Sequence, residues 1–300
     1  MKVKVSLMDL AKVRIITAMT TPFDEKGQID YDKLAPLIDY LLVNGSEGLV
    51  IGGTTGESPT LSHDEKLELY KKSVEIINGR VPVIVGTGTN NTVETISFTK
   101  EVENIKGIDA VLVVAPYYNK PNQAGLYAHF EAVSKNTDLP IIIYNVPSRT
   151  SVSIDPATTI RLANFKNIIG VKECMGLDAM SEIIEKTKDS FLVYTGEDNL
   201  TFPAKCIGAN GVISVASHVL GNQMKDMYDL LGKGKIVEAA NQHRRLIPKM
   251  NSLFSVPSPA PVKMVLNTLG VEVGSVRLPL VDCTKEETQA ILNHLNLTNK

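Results

Sequence analysis

The chain has 300 residues, 43% of them apolar, and its 31 lysines and arginines nearly balance 33 aspartates and glutamates for a formal net charge of −2. A near-neutral chain without a basic block argues against nucleic acid or anionic membrane as a partner, and this length allows two average domains or one large α/β barrel. Cys174, Cys206 and Cys283 are odd in number and far apart, the usage of reduced thiols in a cytoplasmic protein rather than of a disulfide framework. Asp9 and Lys12 interrupt the first apolar stretch before it reaches signal-peptide length, and no run could span a bilayer, so the cytoplasm is the expected location.

Short β-branched runs bounded by turn signals recur along the chain: Val13–Ala18, Gly48–Gly53, Val81–Gly86, Ala110–Ala115, Pro140–Asn145, Ile168–Lys172, Phe191–Thr195 and Gly211–Val215. Helix-length amphipathic segments separate them, the signature of βα units. Most of the runs are apolar at consecutive positions, as parallel strands buried on both faces must be. Ser62 ahead of His63-Asp64-Glu65 predicts a capping box, and Asp155-Pro156 puts proline at a first helical position. Eight such units close into a (β/α)8 TIM barrel more naturally than they form an open doubly wound sheet. The remaining residues are helical in pattern apart from Ser255–Pro261, and no flexible linker precedes them. The expected organisation is a barrel over residues 1–233 and a helical extension over 234–300 packed on it.

The strand ends carry the chemistry. Lys172 closes the apolar run Ile168–Val171, and the run one unit earlier ends in Tyr144. Consecutive strands of a barrel lie side by side and open into one pocket, so an amine and a phenol would share its floor. An apolar setting favours the neutral amine, which attacks ketones to form an imine. The alternative is a packed lysine stem with its head in water, paired with Glu173. Gly52-Gly53-Thr54-Thr55-Gly56-Glu57-Ser58 is a glycine-rich turn whose amides suit a small carboxylate or phosphate, or simply make a tight corner. Tyr117 and Tyr118 lie on a proline-bracketed loop after the fourth strand, where tyrosines also serve as plain contacts. Arg149 follows Tyr144 on a proline-bearing loop; its planar fork suits a carboxylate, and a surface ion pair is the simpler alternative.

His63, His129, His218, His243 and His294 are dispersed, none at metal-ligand spacing with another histidine or a cysteine. Glu197-Asp198 are adjacent acids that point to opposite sides of an extended chain, so no metal is expected. The glycine-rich turn has no following Walker lysine and no G-x-G-x-x-G stands anywhere, which disfavours nucleotides. A catalytic Lys172 would therefore work without a cofactor, with phenols and threonine hydroxyls as proton carriers.

Gly53–Glu57, Tyr144–Thr150 and Gly170–Glu173, in this order and spacing, resemble the signatures of the dihydrodipicolinate synthase family, within the pyruvate-dependent class I aldolases that include N-acetylneuraminate lyase. Val256–Lys263 and Arg277–Leu280 match as well, so the resemblance runs from about Val13 to the C-terminal helices.

The resemblance implies a lyase in which Lys172 forms a Schiff base with pyruvate and Thr54 and Thr55 hold the pyruvate carboxylate. It makes Tyr144 the proton shuttle, linked through Thr55 to Tyr118 of a neighbouring subunit, and it implies a homo-oligomer, usually a dimer of dimers. Arg149 would bind the carboxylate of aspartate 4-semialdehyde, and Gly196 and Ile213 would line the site with backbone carbonyls. The product would be 4-hydroxy-tetrahydrodipicolinate, on the diaminopimelate route to lysine. Many family members bind L-lysine at a subunit interface, and the matching positions here are Ser58, Pro59, His63, Lys66, Asn90, Glu94 and Tyr117. Lys66 departs from the histidine or aromatic residue common there, and its charge would repel the ligand's ammonium. Three other readings use the same residues differently. A lyase for N-acetylneuraminate or another 2-keto-3-deoxy sugar acid would share the imine, but Arg149 disfavours it. A non-catalytic binding barrel would lack the lysine or the phenol. A phosphate-binding barrel would more often use the turns after strands seven and eight.

Overall fold

In the computed structural model of the chain, residues 10–297 are described. Eight parallel strands follow one another in chain order as a closed barrel: β1 (Ile15–Ala18), β2 (Gly48–Ile51), β3 (Val83–Gly86), β4 (Ala110–Val114), β5 (Ile141–Asn145), β6 (Ile168–Glu173), β7 (Leu192–Thr195) and β8 (Gly211–Ser214). Each is followed by its helix: α1 (Leu34–Val43), α2 (His63–Ile77), α3 (Thr92–Glu103), α4 (Gln123–Ser134), α5 (Pro156–Leu162), α6 (Leu177–Lys186), α7 (Thr201–Cys206) and α8 (Ser217–Gly232). Three more, α9 (Ile236–Ser252), α10 (Ala260–Thr268) and α11 (Lys285–Leu295), complete the described chain. The barrel expected from the eight apolar runs is the one observed. Seven of the strands are shorter than those runs by a residue or two, while β6 runs one residue further, through Glu173, whose side chain is buried. Pro82 and Pro140 have no N–H to give to a ladder, and β2 stops where Gly52 turns to φ 64°.

The chain forms two compact units, one built from Gly79–Ile213 with the segment ending at Arg14, the other from Ile15–Asn78 with the segment beginning at Ser214. In the first, β4, β5, β6 and β7 are buried almost throughout. Fully burying a Val, Leu or Ile side chain stabilises by about 1.5–3 kcal/mol, so these runs are the core of that unit. Their helices begin where sequence signals place them. Asn91 accepts from the amides of Val93 and Glu94 at the start of α3, and Asn122 accepts from Gly125 at the start of α4. Asp155 precedes Pro156 at the first position of α5.

In the second unit, Ser62 and Glu65 form the expected capping box of α2, and Thr284 and Glu287 form another at α11. Helix α8 packs against β1, α9 and α10, and α9 against α11. Buried hydroxyls join these elements: Thr17 Oγ1 meets Ser46 at 2.6 Å and Ser217 at 2.7 Å. His218, fully buried, accepts the Thr20 N–H on Nε2 and has Nδ1 2.8 Å from the Val215 carbonyl. Burial lowers its pKa to about 4, so it is neutral and can accept at one nitrogen while donating at the other.

Candidate active site

In the first unit, Tyr144 of β5 and Lys172 of β6 are register partners, and so are Asn145 and Glu173 one residue on. Side chains alternate along a strand, so the two pairs lie on opposite faces of the same two rungs. Lys172 Nζ stands 4.3 Å from the centre of the Tyr144 ring, and both residues are 6% exposed. Aromatic faces attract cations, so the phenol holds the amine in place as well as lying beside it. The stem of Lys172 runs past Gly196, just beyond β7: a Cβ there would collide with Cys174 Sγ and stand 2.8 Å from Lys172 Cε. Glycine at 196 is what leaves room for the lysine.

On the other face, Glu173 is fully buried and takes hydrogen bonds from Asn145 Nδ2 at 3.0 and 3.1 Å and from the Met175 amide at 2.8 Å. Desolvation raises its pKa to about 7. Glu173 is thus occupied away from Lys172, and the pairing of the two weighed from sequence gives way to a lysine–phenol contact. Burial also pushes the neighbouring Cys174 thiol up to about 12, against the pull of the Lys172 ammonium, so it is protonated and a poor nucleophile.

The loop after β5 makes a single helical turn, Pro147–Thr150, in which Val146 O accepts from the amides of Arg149 and Thr150. Arg149 is exposed on it. The Tyr117–Asn119 loop meets that turn through Tyr118 N and Thr150 O at 3.4 Å, and Asn90 Nδ2 donates to Tyr117 O at 3.2 Å. Tyr118 sits at φ 72° and is 87% exposed, so its phenol projects out of the chain. Ile213 is buried on β8, and Glu94 is exposed near the start of α3.

In the second unit, the Gly52–Glu57 turn is tight and anchored. A side chain on Gly52 would run into the Tyr70 ring. Thr54 O accepts from Glu57 N at 3.0 Å, and Thr21 Oγ1 donates to Gly56 O at 2.7 Å. Thr55 is buried and Thr54 half-buried. Glu57 takes the left-handed conformation at φ 57° and points its carboxylate inward to Lys263. Ser58 is half-buried after the turn, His63 opens α2 exposed, and Lys66 lies half-buried on the same helix.

Lys172, Tyr144, Arg149 and the threonine turn stand out in the sequence, and Glu173 only as a partner for Lys172; the roles of Asn145, Glu57 and Lys263 behind them do not. The available signal was a charged residue inside an apolar run, as Lys263 is within Pro261-Val262-Lys263-Met264-Val265.

A closed parallel barrel with a buried amine at a strand end defines a barrel enzyme suited to imine chemistry. The dihydrodipicolinate synthetase family model matches residues 11–297, and the chain belongs to that family. It is 57% identical over 290 residues to the 4-hydroxy-tetrahydrodipicolinate synthase of Enterococcus faecalis, covering 97% of this chain and all of the relative. Among solved structures, a dihydrodipicolinate synthase from Bacillus anthracis superposes with a TM-score of 0.93 at 48% identity, covering 96% of this chain and 99% of the other. The enzyme from Cyanidioschyzon merolae with lysine bound gives 0.92 at 38% identity, covering 96% and 99%.

Proposed function

We propose that Lys172 is the residue on which this chain carries out its reaction, the 4-hydroxy-tetrahydrodipicolinate synthase condensation of pyruvate with aspartate 4-semialdehyde in lysine biosynthesis. The observation that carries the assignment is the buried Lys172 amine held 4.3 Å from the centre of the Tyr144 ring on the adjacent, in-register strand. The neutral amine adds to the pyruvate ketone and water leaves, giving an imine. Loss of a methyl proton gives the enamine, whose carbon attacks the aldehyde. The amine of the second substrate then adds to the imine carbon, Lys172 leaves, and the ring closes. Tyr144 carries the protons, being the hydroxyl-bearing side chain against the amine. Thr54 and Thr55 hold the pyruvate carboxylate, and Arg149 takes the carboxylate of the semialdehyde. Holding amine and phenol in one place supplies the orientation that such a condensation needs.

Tyr118 serves a second copy of the chain in this reading, supported by its exposure on a strained turn. The working form is then a homo-oligomer, a dimer of dimers, in the cytoplasm, with the barrel over residues 1–233 and its extension over 234–300, of which 1–9 and 298–300 lie outside the described residues. No helix among the described residues is long and apolar enough to cross a membrane.

Incubation with pyruvate and sodium borohydride tests the assignment. Peptide mapping is expected to find the reduced adduct on Lys172, and an adduct on another lysine, or none, would sink the mechanism.

A further inference from the structure

Asn145 and Glu173 have a second partner set that the reaction chemistry does not use. The Asn145 side chain grips the backbone of Ile154 at both ends: Nδ2 donates to its carbonyl at 2.9 Å, and Oδ1 accepts its amide at 3.0 Å. The same Nδ2 donates to Glu173, which also accepts the Met175 amide, and the Cys174 amide donates to Asn145 O at 3.0 Å. Both side chains are fully buried. One amide thus closes the loop between positions 145 and 154 and joins it to the start of the loop after β6. Inside the closed loop lies the Pro147–Thr150 turn with Arg149. Within the turn the bonds are local, from Arg149 and Thr150 back to Val146 and from Thr150 Oγ1 to Val152 O at 2.7 Å, and they shape it. From outside, the Tyr118 amide reaches Thr150 O at 3.4 Å and Gln123 Nε2 reaches Ser153 O at 2.8 Å, while the side-chain tie to β6 itself is the Asn145–Glu173 contact.

A fully buried carboxylate held by an amide and a backbone N–H is costly, and an apolar pair would pack two strands at lower cost. Its location one rung beyond Lys172 and Tyr144 gives that cost a use. We propose that Asn145 and Glu173 are positioning residues: a buried clamp that fixes the Arg149 loop relative to the Lys172–Tyr144 pair, and so sets how the second substrate is held against the enamine. The proposal rests on the assignment of Arg149 to the semialdehyde carboxylate.

The test separates the two assignments with Asn145→Ala, Arg149→Ala and the double variant, read by borohydride trapping of pyruvate, by KM for aspartate 4-semialdehyde, and by hydrogen exchange over 146–154. Asn145→Ala is expected to raise that KM about tenfold or more, to speed exchange in the loop, and to keep trapping within about threefold. Adding Arg149→Ala to it should cost little more than either change alone, because both remove one interaction. An unchanged KM in Asn145→Ala, or trapping that falls as far as KM rises, overturns the clamp. An unaffected KM in Arg149→Ala overturns the arginine assignment and the clamp with it, whereas a raised KM in Arg149→Ala beside an unchanged one in Asn145→Ala overturns the clamp alone. If Asn145→Ala does not fold, Asn145→Asp keeps an acceptor for the Ile154 amide but loses the donor to its carbonyl, and adding Glu173→Gln relieves the carboxylate pair without returning that donor. A semialdehyde KM that stays raised in the double variant supports the clamp, and full recovery refutes it.

Discussion

Lys263 Nζ lies 3.1 Å from Glu57 Oε1, and both side chains are 1% exposed. The ammonium also donates to the carbonyls of Thr21 at 2.9 Å and Ser275 at 2.5 Å, while Glu57 Oε2 accepts the Arg277 amide at 2.8 Å. Desolvation outweighs the attraction of Glu57 and lowers the lysine's pKa to about 8. The pair ends the turn that bears Thr54 and Thr55, tied to it by Glu57 N on Thr54 O.

Removing one member leaves the other buried and uncompensated, so Lys263→Met is expected to destabilise by about 3–5 kcal/mol. Adding Glu57→Gln should recover part of that loss, because the orphaned charge goes too. Urea denaturation of the two variants beside the parent measures it. A single-variant loss under about 1 kcal/mol would show the pair to be dispensable.

Arg149→Ala is expected to cost about 2–4 kcal/mol in apparent transition-state binding of aspartate 4-semialdehyde, the usual scale for a lost charge-assisted contact. Imine formation with pyruvate alone should survive. Steady-state kinetics beside the trapping assay checks this, and equal losses in both would assign Arg149 to the loop's structure.

Two buried groups pull stability in opposite directions with pH. His218 has its folded pKa lowered from 6.5 to about 4, so the unfolded chain binds the extra proton and stability falls as pH drops below 6.5. Glu173 has its folded pKa raised from 4.5 to about 7. Its contribution is complete below 4.5 and is lost as pH rises through 7. Between about 4.5 and 6.5 the two nearly cancel. Glu173→Gln removes one of them, so the variant should become more stable relative to the parent by about 3 kcal/mol on going from pH 4.5 to 8. Urea midpoints at those two pH values decide it, and a pH-independent difference would mean that Glu173 does not titrate in this range.

L-Lysine is expected to inhibit weakly or not at all. Among the positions that match the family's lysine site, Lys66 replaces the common histidine or aromatic residue with a charge like that of the ligand's ε-ammonium. A penalty of about 1.4 kcal/mol is already a tenfold loss of affinity. An inhibition titration gives the answer: half-maximal inhibition at sub-millimolar L-lysine would show that Lys66 does not exclude the ligand.

Periodicity alone determined the eight strands, their helices and the strand-end location of Lys172, because local burial and capping are written in neighbouring residues. The capping box at Ser62 and the proline at the start of α5 stand where the sequence predicts them. Motif order carried the family, since glycine-rich turn, Tyr-Asn loop and Val-Lys-Glu run recur at a spacing that chance does not produce. What faces what was left to the tertiary structure. Whether Lys172 meets Glu173 or Tyr144 depends on strand register and on the alternation of side chains across it. The Lys263–Glu57 pair joins residues 206 positions apart. The grip of Asn145 on Ile154 needs a loop conformation that no local propensity encodes. Polar side chains at strand ends look alike in sequence, and only the closed barrel decides which are buried together and must satisfy one another.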